Sequence, residues 1–374
     1  MNEAKRKIRD ELSGLLRAFG TDSSETLRRY GEAEARSLHD AIYELEVFAD
    51  RAVPNFTTGD SSVSLAPSLL AGHSLEIAAK KGTDEALRWL SRVTEEKCVG
   101  ASEIALLSGV ICPAVVSGEN QTCFYPVSQF GLRPDEKRVV DAAIQRADTQ
   151  ALCFLSCDHE LNPAVGMPTN HGGIMYLPAP QSSAQTKLRL SRYALSTTVI
   201  GPSSTRIETS WTRVTDPDFA LLATGSYSLT DGRAPLGHGQ SGVITLSSIE
   251  NCSNFDKMIE PEQMRLADAL GHLQSAMACS YLGDQAVRLV TLLESTFCNA
   301  DERNGRRGLV KRRVQGLIGT VDTTNIDTTY DARNQIVHSG RANLNEADML
   351  AISDTSQFCA RVLREIAVRG RFER

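Results

Sequence analysis

Residues 328–340 read TTYDARNQIVHSG, and this stretch predicts one helix of the C-terminal region together with the point where that helix ends. Asp327 and Thr328 are residue types typical of a helix N-cap, and Gly340 is typical of the left-handed residue that follows a helix. The pattern therefore predicts a helix over residues 329–339 with a sharp stop immediately after it.

Three polar side chains near the end of this helix are candidates for a reactive or binding site. Asn334 and His338 are four residues apart and share a face. Arg333 and His338 point about 140° apart at roughly 100° per residue, so one copy of the helix does not place them side by side. An imidazole exchanges protons near neutral pH, but an isolated histidine here is usually a capping or interface residue. The rest of the chain has to decide between these interpretations.

Apolar residues recur at helical spacing in four further segments around this helix. The stripes are Met264, Ala267, Leu270, Leu273 and Met277; Leu289, Val290, Leu293 and Phe297; Val310, Val314, Leu317 and Ile318; and Phe358, Val362, Leu363 and Ile366. Together with the helix that carries Arg333, they predict an all-α antiparallel bundle over residues 255–374.

The two preceding regions differ in character. Residues 1–98 predict helices, with a loop over the Ser-, Gly- and Pro-containing residues 53–68. Residues 99–254 contain short segments rich in Val, Ile, Thr and aromatics, such as the alternating residues 206–214, and predict an antiparallel sheet in a β-rich or α+β domain. The predicted fold class is therefore α+β and multidomain: N-terminal helices, a β-rich middle domain and a C-terminal helical bundle.

Composition indicates a reduced cytoplasmic protein without membrane contact. The net charge of −6 offers no basic field over the whole chain, so any contact with nucleic acid must be local. The N-terminus has no apolar signal-peptide core, and the most apolar stretch, residues 104–118, is short and contains Pro113. Nine cysteines at irregular spacing do not predict a disulfide framework.

One local basic segment is present at residues 303–313, RNGRRGLVKRR, which hold six basic residues and no acidic one. A solvated helix start and a phosphate-binding patch are equally good interpretations. In the second, the candidate RNA-binding residues are Arg306, Arg307, Lys311, Arg312 and Arg313.

Residues 330–340, YDARNQIVHSG, resemble the Arg-x4–6-His signature of HEPN domains. They are most similar to the Apea-like branch, which has the sequence pattern Arg-Asn-x-Ile-Val-His-x-Gly. The flanking sequence is also similar. Residues 289–297, LVTLLESTF, are followed by the basic segment, which ends in KRRVQGLIG at residue 319, and after it come the signature and a final predicted helix. The resemblance covers about a third of the chain, residues 256–374.

The resemblance implies an endoribonuclease that needs no metal or cofactor and acts as a homodimer through the C-terminal bundle. It implies that Arg333 holds the scissile phosphate, that His338 moves protons and that Asn334 orients the site. Glu294 matches an acidic residue of an earlier helix and is expected to support the site, with a plain solvent-facing acid as the alternative. The expected products are a 2′,3′-cyclic phosphate and a 5′-hydroxyl.

The resemblance further implies a bacterial antiphage defence or toxin effector, in which residues 1–254 sense an unidentified trigger, restrain the nuclease or select the RNA. Two alternatives stay open. One is a non-catalytic HEPN module for dimerisation or for binding a nucleotide or partner, and the other is an enzyme whose site lies in the β-rich middle.

Two further patterns favour structural interpretations. Residues 237–242, GHGQSG, match G-x-G-x-x-G but precede a predicted strand, whereas a dinucleotide site requires a following helix. Cys153, Cys157, His159 and His171 fit no common zinc spacing, and Cys153 lies in an apolar strand, so buried structural thiols are expected.

Overall fold

The chain divides by tertiary contacts into two compact units, each built from segments that are discontinuous in sequence. Unit 1 comprises Met1–Glu103, Asp158–Lys187 and Trp211–Tyr227, and unit 2 comprises Ile104–Cys157, Leu188–Ser210 and Ser228–Arg374. The predicted boundaries after residues 98 and 254 stay predictions. The computed structural model describes residues 3–20, 36–49, 53–57, 61–118, 122–147, 149–161, 163–168, 174–177, 206–225, 228–229, 242–245, 258, 260–277, 279–299, 301–302, 304–319, 321–340, 343–369 and 371–372.

The N-terminal segment of unit 1 is largely helical, as predicted. Its helices are α1 (Glu3–Phe19), α2 (Arg36–Tyr43), α3 (Pro67–Lys81) and α4 (Thr83–Glu95), with a 3-10 turn at Glu46–Phe48 and another at Ala220–Leu222. They share one core with apolar residues such as Ile8, Leu38, Leu75 and Val93. Pro67 is the first residue of α3, where its missing N–H leaves no hydrogen bond unmade.

The predicted loop over residues 53–68 is wrong. This segment contains strands β1 (Asn55–Thr57) and β2 (Ser61–Ser64), which pair antiparallel with Phe56 opposite Val63. Both side chains are buried in the core of unit 1, and β11 (Ala223–Gly225) pairs with the other edge of β2. The polar composition concealed the strands because only one residue in two faces the core.

The main sheet has six strands in the order β12-β10-β3-β7-β6-β5. Their bounds are β3 (Val99–Ser108), β5 (Val116–Ser117), β6 (Thr122–Pro126), β7 (Leu152–Leu161), β10 (Arg206–Val214) and β12 (Ser228–Leu229). The predicted antiparallel arrangement is confirmed for β5 with β6, β6 with β7, and β10 with β12.

Smaller elements complete the middle of the chain. They are β4 (Val110–Ile111), β8 (Val165–Pro168), β9 (Ile174–Leu177), β13 (Gly242–Val243), α5 (Pro134–Ala147) and a 3-10 turn at Val127–Gln129. Strands β8 and β9 form an antiparallel hairpin, whereas β4 and β13 pair in parallel, which departs from the prediction. The coarse prediction of a mixed α+β fold with C-terminal helices is confirmed.

The described residues of the C-terminal part of unit 2 form the helices α6 (Glu260–Met277), α7 (Leu282–Phe297), α8 (Arg306–Ile318), α9 (Thr324–Ser339) and α10 (Glu346–Arg369). Helix α7 packs against α6, α9 and α10. The apolar stripes supply the core, which includes Leu270, Leu293, Val314, Ile326 and Leu363.

The start of α9 differs from the prediction, while its end agrees with it. The helix begins at Thr324 and not near Thr329, and Thr323 occupies the N-cap position that was expected at Asp327 or Thr328. Asp322, one residue earlier, accepts a hydrogen bond from the Thr324 backbone N–H at 2.9 Å and so satisfies one free N–H of the first turn. Gly340 has φ of 74° and its N–H donates to the Ile336 carbonyl at 2.8 Å, which ends the helix in the left-handed conformation that glycine adopts easily.

Candidate nucleic-acid site on the C-terminal helices

One side of the first half of α9 is buried, whereas the second half is largely exposed. Ile326, Thr329, Tyr330 and Ala332 are buried against the rest of the bundle. From residue 334 to the end of the helix, every side chain is exposed except the half-buried Ile336. Asn334 and His338, which were predicted to share a face, are therefore both accessible to a ligand.

Arg333 lies at the boundary between these halves and is half-buried. Its Nη1 donates to the Asn334 side-chain oxygen at 3.0 Å. Within the described residues no carboxylate forms an ion pair with Arg333, so its positive charge is not neutralised by a neighbour. The structure brings Arg333 and Asn334 into contact, and it records no hydrogen bond between the described residues Arg333 and His338.

The end of α9 is positioned by a close approach to the start of α7. A Cβ atom added at Gly283 of α7 would lie 2.6 Å from Cδ1 of Ile336 and 2.5 Å from a ring carbon of Tyr281. Such distances are too short for carbon atoms, so a side chain at residue 283 would force Ile336 and Tyr281 to shift. Ile336 thereby holds the turn of α9 that carries His338 on its outer side.

The basic segment contributes the first residues of helix α8, from Arg306 onwards, and most of its cations are paired with carboxylates of the same chain. The ion pairs are Arg306 with Glu294 (3.0 Å), Arg307 with Asp327 (2.6 Å) and Asp331 (2.8 Å), Lys311 with Asp327 (2.6 Å), and Arg313 with Glu302 (2.7 Å). Arg312 is exposed and, in the described part of the chain, has no ion-pair partner. Arg303 lies outside the described residues. Four carboxylates thus offset all but one of the five positive charges predicted to bind RNA.

These ion pairs place α8 next to the predicted site. At roughly 100° per residue, Asp327, Asp331, Asn334 and His338 fall within an arc of about 60° on α9 and form one polar face. The Arg307 and Lys311 side chains of α8 reach the first half of this face, at Asp327 and Asp331. The same face is therefore covered by basic side chains near its start and uncovered at its end.

The sequence did not identify Asp327 and Asp331 as functional candidates, and the structure shows both at this face. Their spacing of four residues on a helix was the available signal, since it aligns two carboxylates. Hydrogen bonds from Lys311 and Arg307 outweigh the opposing effect of burial and hold the pKa of Asp327 below its usual range.

Glu294 of α7 is half-buried and contacts side chains of α8 and α9. Its side chain is 21% exposed and its Oε2 accepts from Arg306. Close to it is the Tyr330 hydroxyl, which is buried and forms no hydrogen bond of normal geometry. Burial raises the pKa of Tyr330 far above its ordinary value, and the negative charge of Glu294 raises it further. Tyr330 is thus a neutral phenol beside the predicted acidic support.

The other sequence candidates lie elsewhere. Cys153 and Cys157 are buried in β7, where burial strongly raises the pKa of Cys153, as expected for a structural thiol. The side chain of His159 is 7% exposed, and its Nε2 lies 3.5 Å from Glu103. His171 lies outside the described residues. The residues that the structure describes contain no cluster of three metal-binding side chains. Of the G-x-G-x-x-G match only Gly242 is described, and it begins strand β13.

Comparisons of the chain with protein-family models, with curated proteins and with solved structures found no match. The HEPN resemblance therefore rests on the sequence motif alone. None of the described helices has the length and apolar content that crossing a membrane requires.

Proposed function

We propose that the protein is a metal-independent endoribonuclease of the HEPN type, which cleaves RNA at a site built from two copies of α9. The observation that carries the proposal is the uncovered second half of this helix, where Arg333 contacts the exposed Asn334 and where His338 is exposed one turn further along. In the described part of the chain Arg333 has no carboxylate partner. A guanidinium free to bind an anion and an accessible imidazole are the groups that metal-free phosphodiester cleavage needs.

The proposed reaction uses the 2′-hydroxyl of RNA as the nucleophile. His338 of one copy removes the hydroxyl proton, the 2′-oxygen bonds to phosphorus, and the bond from phosphorus to the 5′-oxygen breaks. His338 of the second copy protonates the leaving 5′-oxygen, which gives a 2′,3′-cyclic phosphate and a 5′-hydroxyl. Arg333 binds the non-bridging oxygens, whose negative charge grows in the transition state, and Asn334 orients Arg333 through their hydrogen bond.

A homodimer is proposed because each chain supplies one histidine here whereas the reaction uses an acid and a base. Apolar side chains are exposed on both α9 and α10: Val337 is 54% exposed, and Leu350, near the start of α10, is 60% exposed. Two-fold pairing of α9 would cover Val337 and would bring two copies of His338 to one cleft.

A non-catalytic HEPN module is the second candidate function, and the ion pairs of α8 favour it. If Arg306, Arg307, Lys311 and Arg313 serve to hold the helices together, Arg312 and Arg333 are the predicted site cations, among the described residues, that are left for a nucleic acid. In that case the open end of α9 binds a protein partner or a nucleotide, and RNA stays intact.

We extend the first proposal to its biological setting on the strength of the resemblance. The enzyme would act in the bacterial cytoplasm as an antiphage defence or toxin effector, and residues 1–254 would sense an unidentified trigger. The described residues of unit 1 supply no independent argument for this role.

The proposal is tested by incubating labelled RNA with the purified wild-type protein and with His338→Ala, both in excess EDTA. The wild type should produce fragments with 2′,3′-cyclic phosphate ends, and His338→Ala should produce none while keeping its circular dichroism spectrum. His272→Ala, in α6 of the same bundle, is the matched control and should cleave like the wild type. Undiminished cleavage by a folded His338→Ala protein, or cleavage that requires Mg²⁺ or Mn²⁺, would overturn the proposal.

A further inference from the structure

Arg307 of α8 holds two carboxylates of α9 in two different ways. Its Nε donates to Asp327 at 2.6 Å, whereas its two terminal nitrogens face the two oxygens of Asp331, at 2.8 Å for Nη1 and 3.5 Å for Nη2. A pair of guanidinium nitrogens facing a pair of oxygens is the arrangement by which arginine binds a phosphate group. Asp331 therefore occupies the two terminal nitrogens of Arg307, which are the nitrogens best suited to binding a phosphate.

The two carboxylates also differ in how firmly they are held. Asp327 is 30% exposed and is bound by Lys311 as well as by Arg307, so its removal would leave Lys311 without its ion-pair partner and Arg307 with Asp331 alone. Asp331 is 62% exposed and contacts Arg307 alone among the described cations. Exposed single ion pairs contribute little to stability, so an incoming anion can displace Asp331 much more easily than Asp327.

The position of Asp331 connects this ion pair with the proposed active site. It lies on the same face of α9 as Asn334 and His338, and seven residues, or roughly 10 Å along a helix, separate it from His338. An RNA strand with its scissile phosphate at Arg333 and His338 would bring a neighbouring phosphate of the same strand towards Arg307. No other described carboxylate pairs with the two terminal nitrogens of Arg307.

We infer that Arg307 binds a backbone phosphate of single-stranded RNA next to the cleavage site, and that Asp331 is an internal competitor which RNA must displace. This inference rests on the proposed function, since the RNA strand is located by the Arg333 and His338 site. Asp331 thereby weakens binding to RNA and limits binding to strands that offer a phosphate at the right distance. Asp327 and Lys311 keep α8 fixed on α9 while Asp331 exchanges with the phosphate.

The test measures binding of a labelled single-stranded RNA by fluorescence anisotropy at several salt concentrations, in the His338→Ala background so that the RNA stays intact. Asp331→Asn should bind about 3-fold to 10-fold more tightly than this background. The slope of log affinity against log salt should steepen by about 0.7, the value for one additional phosphate contact on a single strand. Adding Arg307→Gln should abolish both changes.

Asp354→Asn is the matched control. It removes the same charge from an exposed position on the neighbouring helix α10, where the partner of Asp354 is the side-chain amide of Asn325 at 3.3 Å. Equal gains in RNA affinity for Asp331→Asn and Asp354→Asn would show that net charge alone causes the effect, and would overturn the inference. A gain in affinity that persists after Arg307→Gln would also overturn it. Absence of RNA binding by every variant would also overturn it.

Cleavage by the wild type is scored separately. If Asp331→Asn shows the specific gain in binding but the wild type never cleaves RNA, the inferred phosphate position stands and the nuclease proposal fails. If the wild type cleaves RNA while Asp331→Asn behaves like Asp354→Asn, the nuclease proposal stands and the inferred competition fails.

Discussion

The two halves of α9 contrast in how the rest of the chain holds them. The first half is fastened on two sides, since Ile326 and Tyr330 are buried in the bundle and Asp327 is bound by α8. The second half exposes Asn334 and His338. The difference indicates that the first half of α9 stabilises the fold, whereas the second half carries the proposed chemistry. Substitutions in the two halves should therefore have separable effects.

The largest expected effect is on cleavage, from a change at the boundary between the halves. Arg333→Lys should reduce RNA cleavage by about 100-fold, nearly as much as Arg333→Ala, because an ammonium is a point charge and cannot bind two phosphate oxygens as a guanidinium does. Initial rates on labelled RNA measure the loss. Thermal unfolding should be nearly unchanged, since no ion pair among the described residues is broken.

Arg361→Lys is the control for this exchange, because Arg361 is exposed on α10 and has no proposed role. It should cleave RNA at the wild-type rate. Near wild-type cleavage by Arg333→Lys would mean that guanidinium geometry is unimportant at the open end of α9, and the proposed phosphate contact would then be wrong.

The next largest expected effect comes from a change in the position of the second half of α9. Gly283→Ala should lower the free energy of unfolding by about 1–3 kcal/mol, because the new methyl group overlaps Ile336 and Tyr281 and forces them to move. The shift should also reduce cleavage, since Ile336 holds the turn that carries His338. Urea denaturation measures the stability, and RNA cleavage below the unfolding transition measures the activity.

Gly271→Ala, in the same bundle, is expected to have the opposite effect on the free energy of unfolding. Gly271 lies inside α6, and a Cβ atom there would meet nothing within 4 Å. Alanine should therefore stabilise the protein by about 0.5–1 kcal/mol through its better helix propensity. Equal effects of the two substitutions would show that Gly283 is not required for close packing.

The smallest expected effect concerns the first half and depends on pH. The pKa of Asp327 is lowered in the folded protein, so its stabilising contribution is present above the ordinary value of 3.8 and is lost as pH falls through the folded value. Asp327→Asn should cost about 1 kcal/mol at pH 7 and progressively less below about pH 4. Urea denaturation of both proteins across this range measures the difference. A difference that is constant with pH would show that the carboxylate charge contributes nothing.

The contrast also explains which parts of the structure the sequence predicted. The end of α9 follows from Gly340, because the left-handed C-terminal cap is a local property of the chain. The start of α9 was misplaced because Asp327 resembles an N-cap locally, and only the tertiary structure shows that it binds α8. The existence of the helices was predicted from the apolar stripes, which are regular and long.

The candidate site was predictable in part for the same reason. Asn334 and His338 share a face of one helix, so four-residue spacing sufficed to group them. The pairing of α8 with Asp327 and Asp331 joins residues about 20 positions apart, which no local pattern encodes. In the sheet, β10 alternates and was predicted at its observed bounds, whereas β1 and β2 carry too few apolar residues to be recognised.

The central claim is that the uncovered ends of two α9 helices form one active site, and mixing two inactive variants tests it most directly. Arg333→Ala and His338→Ala chains are combined, subunit exchange is verified by native mass spectrometry, and RNA cleavage is compared with that of each variant alone. The account predicts cleavage by the mixture that is well below the wild-type rate but above that of either variant alone, because a heterodimer unites one intact arginine with one intact histidine from different chains and leaves the second proton transfer to water. Absence of recovery despite proven exchange, or full activity of a protein that light scattering shows to be monomeric, would contradict it.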